Sequence, residues 1–94
     1  MFIEFETLKS LFCFNIKYYR YINNYSQDKL SELCNLSSRY ITDIENGNHF
    51  PTIEKLEIIA QTLNIEPYML FMNIKRDAAI LERMKHSRQY NQKL

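Results

Sequence analysis

The sequence predicts an all-α fold, and three observations carry that prediction. Its 94 residues include one glycine and two prolines, too few for the special turns that a β sandwich or barrel repeats. Apolar residues recur about three or four apart through most of the chain, the period of a helix with one buried face. The length suits one modest core, and 46% hydrophobic with 24% charged residues is the make-up of an ordinary globular unit.

Each element follows from local signals. Thr7 fits the N-cap of a first helix, whose stripe is Leu8, Leu11, Phe12, Ile16, Tyr19 and Ile22. Asn23-Asn24 ends it, because asparagine tolerates the left-handed conformation that closes helices. Ser26 caps a short second helix with Asp28 in its first turn, where the helix dipole favours a carboxylate, and Leu30, Leu33 and Cys34 as its inward side. Asn35 and Leu36 form a tight turn, and Ser37 caps a third helix running to about Glu45 with Ile41 and Ile44 inward. Asn46-Gly47 closes it, with the chain's only glycine where a positive φ is most needed. After His49-Phe50-Pro51, Thr52 caps a fourth helix carrying Ile53, Leu56, Ile59, Ala60 and Leu63, which Asn64 ends. Pro67 suits the first turn of a short fifth helix with Tyr68, Leu70 and Phe71. The expected layout is an N-terminal extension over 1–14 (with the first helix starting near 8), a central domain over 15–72, and a basic tail over 73–94. Within that tail Ile80, Leu81 and Met84 form a stripe that would suit a helix.

Charge is divided along the chain. Residues 1–74 carry six basic and nine acidic side chains, a net of −3, and residues 75–94 carry six basic and two acidic, a net of +4. Cys13 and Cys34 are far apart and form no disulfide framework, so both are read as reduced thiols. With His49 and His86 they give neither paired-cysteine nor paired-histidine zinc spacing, and no metal is expected. The start Met1-Phe2-Ile3-Glu4-Phe5-Glu6 lacks the positive region of a signal peptide, and no apolar run approaches the ~20 residues of a membrane span. A cytoplasmic protein off the membrane is expected. No hydrolase elbow, metal triad or phosphate loop is present, so neither catalysis nor a cofactor is expected, and a small-molecule ligand has no domain to bind in.

The informative stretch runs from Gln27 to Gly47, QDKLSELCNLSSRYITDIENG. Two short helices joined by a tight turn must cross steeply. Ser31 is small where they would approach, and Leu30, Cys34, Leu36, Ile41 and Ile44 supply a wedge of core. The outer face of the third helix is polar, as a helix reading the donors, acceptors and methyls of the major groove must be. From Asn15 to Phe71 the chain resembles the Cro/C-repressor (XRE, lambda-repressor-like) helix-turn-helix family. The resemblance is carried by Ile16-Lys17-Tyr18-Tyr19-Arg20, Ser26-Gln27-Asp28-Lys29-Leu30, Leu36-Ser37-Ser38-Arg39-Tyr40-Ile41, Ile44-Glu45-Asn46-Gly47, Pro51-Thr52-Ile53 and Leu63-Asn64-Ile65.

The resemblance implies a five-helix bundle that binds double-stranded operator DNA as a homodimer, with half-sites about one helical turn apart. The implied function is sequence-specific regulation of transcription, most simply repression. By alignment, Ser38, Arg39, Thr42 and Asp43 take base-reading positions, with Arg39 suited to clamp guanine. Gln27, Ser37, Asn46, Asn48 and His49 take backbone positions, as does Tyr40, which either packs on sugar or a thymine methyl or covers core. Arg20 and Glu45 align with a structural ion pair, and the dimer candidates are Tyr68, Met69, Met72, Ile74, Ile80, Leu81 and Met84. Two positions depart from the family pattern: Asp43 puts a carboxylate toward the groove, and Asn35 stands where glycine is commonest. The competing reading is a protein-interaction module, an antitoxin or a restriction-modification controller, that keeps this fold and binds a protein partner through its ends. Phe2, Ile3 and Phe5, with Ile80, Leu81 and Met84, are the apolar candidates for that contact.

Overall fold

Four hydroxyl side chains set where the main helices begin. In a computed structural model, which describes the backbone of residues 2–93 and the side chains of residues 2–86, Thr7 accepts from the Ser10 N–H at 3.0 Å and Ser26 from Lys29 at 2.9 Å. Ser37 accepts from Tyr40 at 3.0 Å and Thr52 from Lys55 at 3.2 Å. Each satisfies an amide that the first turn leaves without a partner. The elements are α1 (Leu8–Ile22), α2 (Gln27–Cys34), α3 (Ser38–Glu45), α4 (Ile53–Thr62), a 3₁₀ helix (Pro67–Phe71) and α5 (Ala78–Lys93). Left-handed asparagines stand where α1, α2 and α4 give way: Asn24 at φ 60°, Asn35 at 57° and Asn64 at 63°. The fold is all-α among the described residues.

The core is built around α1. It packs on α3, on the 3₁₀ helix and on α5, while α2 packs on α3 and α4. Ile16, Leu30, Ile41, Ile44, Ile59, Leu63 and Leu70 are wholly buried at the centre.

Several sequence expectations are corrected here. Leu33 is 45% exposed, while Ser31, expected where the helices approach, lies inside with Leu30 and Cys34. Ser31 is the residue small enough to face α3. Ile53 and Leu8, each at the first position of its helix, and Ile22, at the end of α1, are exposed. The short helix expected from Pro67 is present as 3₁₀ turns over Pro67–Phe71, and the 16-residue α5 follows it. Its Ile80, Leu81 and Met84 pack half-buried against the core. Arg88 and Lys93, counted in the basic C-terminal stretch, lie outside the described side chains.

Buried polar groups connect these elements. The Asn15 amide donates to the carbonyls of Leu70 at 2.8 Å and Met72 at 3.0 Å, closing the end of the 3₁₀ helix onto α1. Asn23 donates to the carbonyls of Tyr19 and Leu63, at 2.8 and 2.9 Å, and so ties the ends of α1 and α4 together. Arg76 is 2% exposed, its guanidinium lying 4.8 Å from the Tyr18 ring centre, 5.1 Å from Phe14 and 5.9 Å from Phe5. Burial pulls its pKa below the usual arginine value, yet a guanidinium stays charged in proteins and the ring faces stabilise that charge. The Tyr18 hydroxyl accepts from the Asp77 N–H at 2.8 Å, and Asn73 donates to the Ile3 carbonyl at 2.9 Å. Both flanks are thereby held against α1.

Arg20 and Glu45 form a buried ion pair, Nε to Oε2 at 2.7 Å and a second guanidinium nitrogen to Oε1 at 3.1 Å. The remaining terminal nitrogen of Arg20 donates to the Tyr25 carbonyl at 2.9 Å. Arg20→Met should destabilise the fold by about 3–5 kcal/mol, because it strands a carboxylate inside. In urea melts the double variant Arg20→Met/Glu45→Leu should recover much of that loss, and an unchanged midpoint in the single variant would show that the pair is dispensable. Asn15→Ala should cost about 1–3 kcal/mol by leaving buried carbonyls without a donor. The same melts check it, and a loss no larger than that of the exposed Asn48→Ala would contradict the capping role.

Candidate nucleic-acid interface

Helix α3 offers its surroundings a polar face because its apolar residues are fully used below. Ile41 and Ile44 are buried, and Glu45 joins them by virtue of Arg20. The turn Asn35-Leu36-Ser37 lets α3 cross α2: the Leu36 N–H donates to the Ser31 carbonyl at 2.8 Å, and Asn35 takes the left-handed conformation. The Ser31 and Ser38 hydroxyls meet at 3.3 Å, and Ser38 also donates to the Asp28 carboxylate at 2.5 Å. The first turn of α3 is thus fastened to the first turn of α2.

Gln27 fastens the other end. Its Nε2 donates to Glu45 Oε1 at 3.0 Å, and its Oε1 accepts from the Thr42 hydroxyl at 3.2 Å. The polar chain Arg20, Glu45, Gln27, Thr42 passes from α1 through α3 to the start of α2 and back to the outer face of α3. Gln27 is half-buried where it makes these bonds.

On the outer face Arg39 and Asp43 stand one turn apart, Nε to Oδ2 at 3.7 Å, with side chains 88% and 34% exposed. An exposed helical pair of this kind contributes about 0.3–0.5 kcal/mol. So weak a contact leaves the Arg39 guanidinium open to solvent. It also partly offsets the Asp43 carboxylate on this face. Ser37, Asn46, Asn48 and His49 are exposed around the same face.

Tyr40 lies half-buried at the rim. Its ring meets His49 edge-on at 5.0 Å between centres, and Lys55 Nζ sits 4.8 Å from its ring centre. Burial raises the pKa of its phenol, so the hydroxyl stays neutral and able to donate. Lys55, on α4, is a cation at this rim that sequence reasoning did not single out. No local signal marks it, because its neighbour is brought in from α3.

Gly47 follows α3 with φ +79°, and a Cβ there would meet the Lys9 side chain, Cε at 2.9 Å. The positive φ is what favours glycine here, since the Lys9 side-chain end could move aside. The dimer candidates separate by burial: Tyr68 and Met72 are exposed, whereas Met69, Ile74, Ile80, Leu81 and Met84 pack half-buried on the chain's own core. Burial raises the thiol pKa of Cys13 and of Cys34. Among the described residues no group of histidines, cysteines and carboxylates gathers to hold a metal, and no helix is long and apolar enough to cross a membrane.

Comparison with known proteins agrees with this geometry. The helix-turn-helix domain family matches residues 15–76. Control protein C.SmaI of Serratia marcescens is 37% identical over 62 residues, covering 66% of this chain and 74% of that protein. The structure of the restriction-modification controller protein C.Esp1396I, a tetramer in complex with its natural 35 base-pair operator, superposes with a TM-score of 0.62 at 31% identity, covering 71% of this chain and 88% of that one. The hypothetical transcription factor NHTF from Neisseria superposes at 0.70 over 90% of this chain and 91% of that chain; at 21% identity the likeness concerns the fold, which it extends beyond the family match into the flanks. The chain belongs to the helix-turn-helix domain family and, within it, stands with the restriction-modification control proteins.

Proposed function

We propose that this protein is a control protein of the restriction-modification type, a transcriptional regulator that binds a double-stranded operator sequence-specifically as a homodimer. The observation that carries this reading is α3 itself: a helix with a free polar face, locked at one end by Ser38 on Asp28 and at the other by Gln27 on Glu45 and Thr42. A reading helix must be held rigidly, since base contacts discriminate only when donors and acceptors are already placed. The 31%-identical controller bound to its operator supports extending the same activity to this chain.

In this reading Arg39 contacts base edges, with Ser38, Thr42 and Asp43 beside it. Ser37, Tyr40, Asn46, Asn48 and His49 meet the sugar-phosphate backbone around them. Gln27 has a double part, bracing α3 from within and facing the backbone at the start of α2. The reading unit takes in the whole of α1 and runs to about residue 72, and the flanking segments brace it through Phe5, Arg76 and the α5 stripe. The protein acts by occupying DNA, without catalysis, and works in the cytoplasm where its operator is. The apolar stripe that a protein partner would use, Ile80, Leu81 and Met84, is engaged with the chain's own core, which favours DNA over a partner docked at that end.

Selection from genomic fragments with purified protein should enrich a two-fold symmetric motif. On the enriched duplex, Arg39→Ala should lose about 1–3 kcal/mol of discrimination at one base position per half-site. Recovery of no motif, or a motif read equally well without Arg39, would refute the assignment.

A further inference from the structure

The operator-binding reading leaves two lysines of α1 unassigned, and their surroundings single them out. Residues 1–74 have a net charge of −3 with six basic side chains. Of these, Arg20 is buried on Glu45, Lys29 lies 4.0 Å from Glu32, Arg39 3.7 Å from Asp43, and Lys55 sits over the Tyr40 ring. Lys9 and Lys17 are the remaining two. Among the described residues neither is within ion-pair distance of a carboxylate.

Both line one groove of about 340 Å³, together with Ser10, Asn46 and Gly47, directly beside the end of α3. Glu45 borders the groove too, but its side chain is 0% exposed and its charge is met by Arg20. The placement of Lys9 is specific. Its Cε comes within 2.9 Å, and its Nζ within 3.7 Å, of where a Gly47 Cβ would be, so the absence of a side chain on Gly47 lets the ammonium cross the loop after α3. The two lysines are separated by roughly 12 Å of helix rise. Cys13 lies between them on α1 and lines the same groove.

We propose that Lys9 and Lys17 form a phosphate grip beside the reading helix, holding the duplex backbone next to the α3–α4 loop and adding affinity without sequence preference. The inference rests on the operator-binding reading and extends it to residues that contact no base. A chain whose first 74 residues carry net negative charge has little general attraction for DNA. Two uncommitted cations at the edge of the interface supply that attraction where it is needed.

The test uses the full chain, the duplex enriched by selection and a scrambled duplex of equal length, titrated across a range of salt concentrations. Lys9→Gln and Lys17→Gln retain most of the aliphatic stem and remove the charge, and thermal melts verify that both remain folded. Each variant removes one phosphate contact per subunit, two per dimer, and should reduce the slope of log affinity against log salt by about 1.8, and the double variant by about 3.6. The fold-loss should be equal on enriched and scrambled DNA, and Lys9→Arg should keep the wild-type slope. If the wild type prefers the enriched duplex while both glutamine variants keep its slope, the phosphate grip is overturned and the operator reading stands. If the wild type shows no preference, the operator reading falls and the grip with it.

Discussion

Glu45, the last residue of α3, is the point on which the arrangement of that helix depends. Its carboxylate is closed off from water, receives two hydrogen bonds from Arg20 of α1, and receives a third from Gln27 at the start of α2. Removed from water alone, such a charge would be prohibitively unfavourable. The end of α3 can occupy its place only when α1 and α2 are already in theirs. A buried ion pair contributes little net stability against an apolar replacement, but breaking it strands a charge. The consequence is geometric: the helix that faces outward is indexed to the two helices behind it.

That indexing connects packing to function. Thr42 faces outward and is bound to Gln27, and Ser38 faces outward and is bound to Asp28. Two of the side chains aligned with base readout are therefore fixed by the same bonds that orient the helix. Arg39 differs, being held only by the weak exposed contact with Asp43. The face of α3 thus combines hydroxyls held by neighbouring helices with one exposed, weakly paired guanidinium.

The flanks serve the frame from the other side of α1. Arg76, seated on the faces of Phe5, Phe14 and Tyr18, draws the segment before α1 and the segment before α5 onto one aromatic surface. With Ile80, Leu81 and Met84 laid against the core, the first turns of α5 are a structural part of the unit. The same packing leaves Tyr68 and Met72, beyond the 3₁₀ turn, as the exposed members of the aligned dimer residues.

What can be read from the chain is what short-range chemistry decides. The caps Thr7, Ser26, Ser37 and Thr52, and the terminators Asn24, Asn35, Gly47 and Asn64, act on amides and dihedrals within a few residues of themselves, so the helix limits are legible in the amino-acid order. The outward residues of α3 are legible for the same reason: 3.6-residue periodicity separates Ile41 and Ile44 from Arg39 and Thr42. Contacts between distant segments are not legible. Leu33 reads as inward by its spacing and is outside, and the donation of Asn15, from α1, to the carbonyls that end the turns after Pro67 has no local signal. Lys9 over Gly47, Lys55 over Tyr40 and the seat of Arg76 involve partners from 15 to 71 residues apart. No local pattern encodes such pairs. Sequence determined where each helix starts, stops and turns its apolar side, because those are local preferences; tertiary structure decided which charges are buried, shared or left free, because that depends on which surfaces exclude water together.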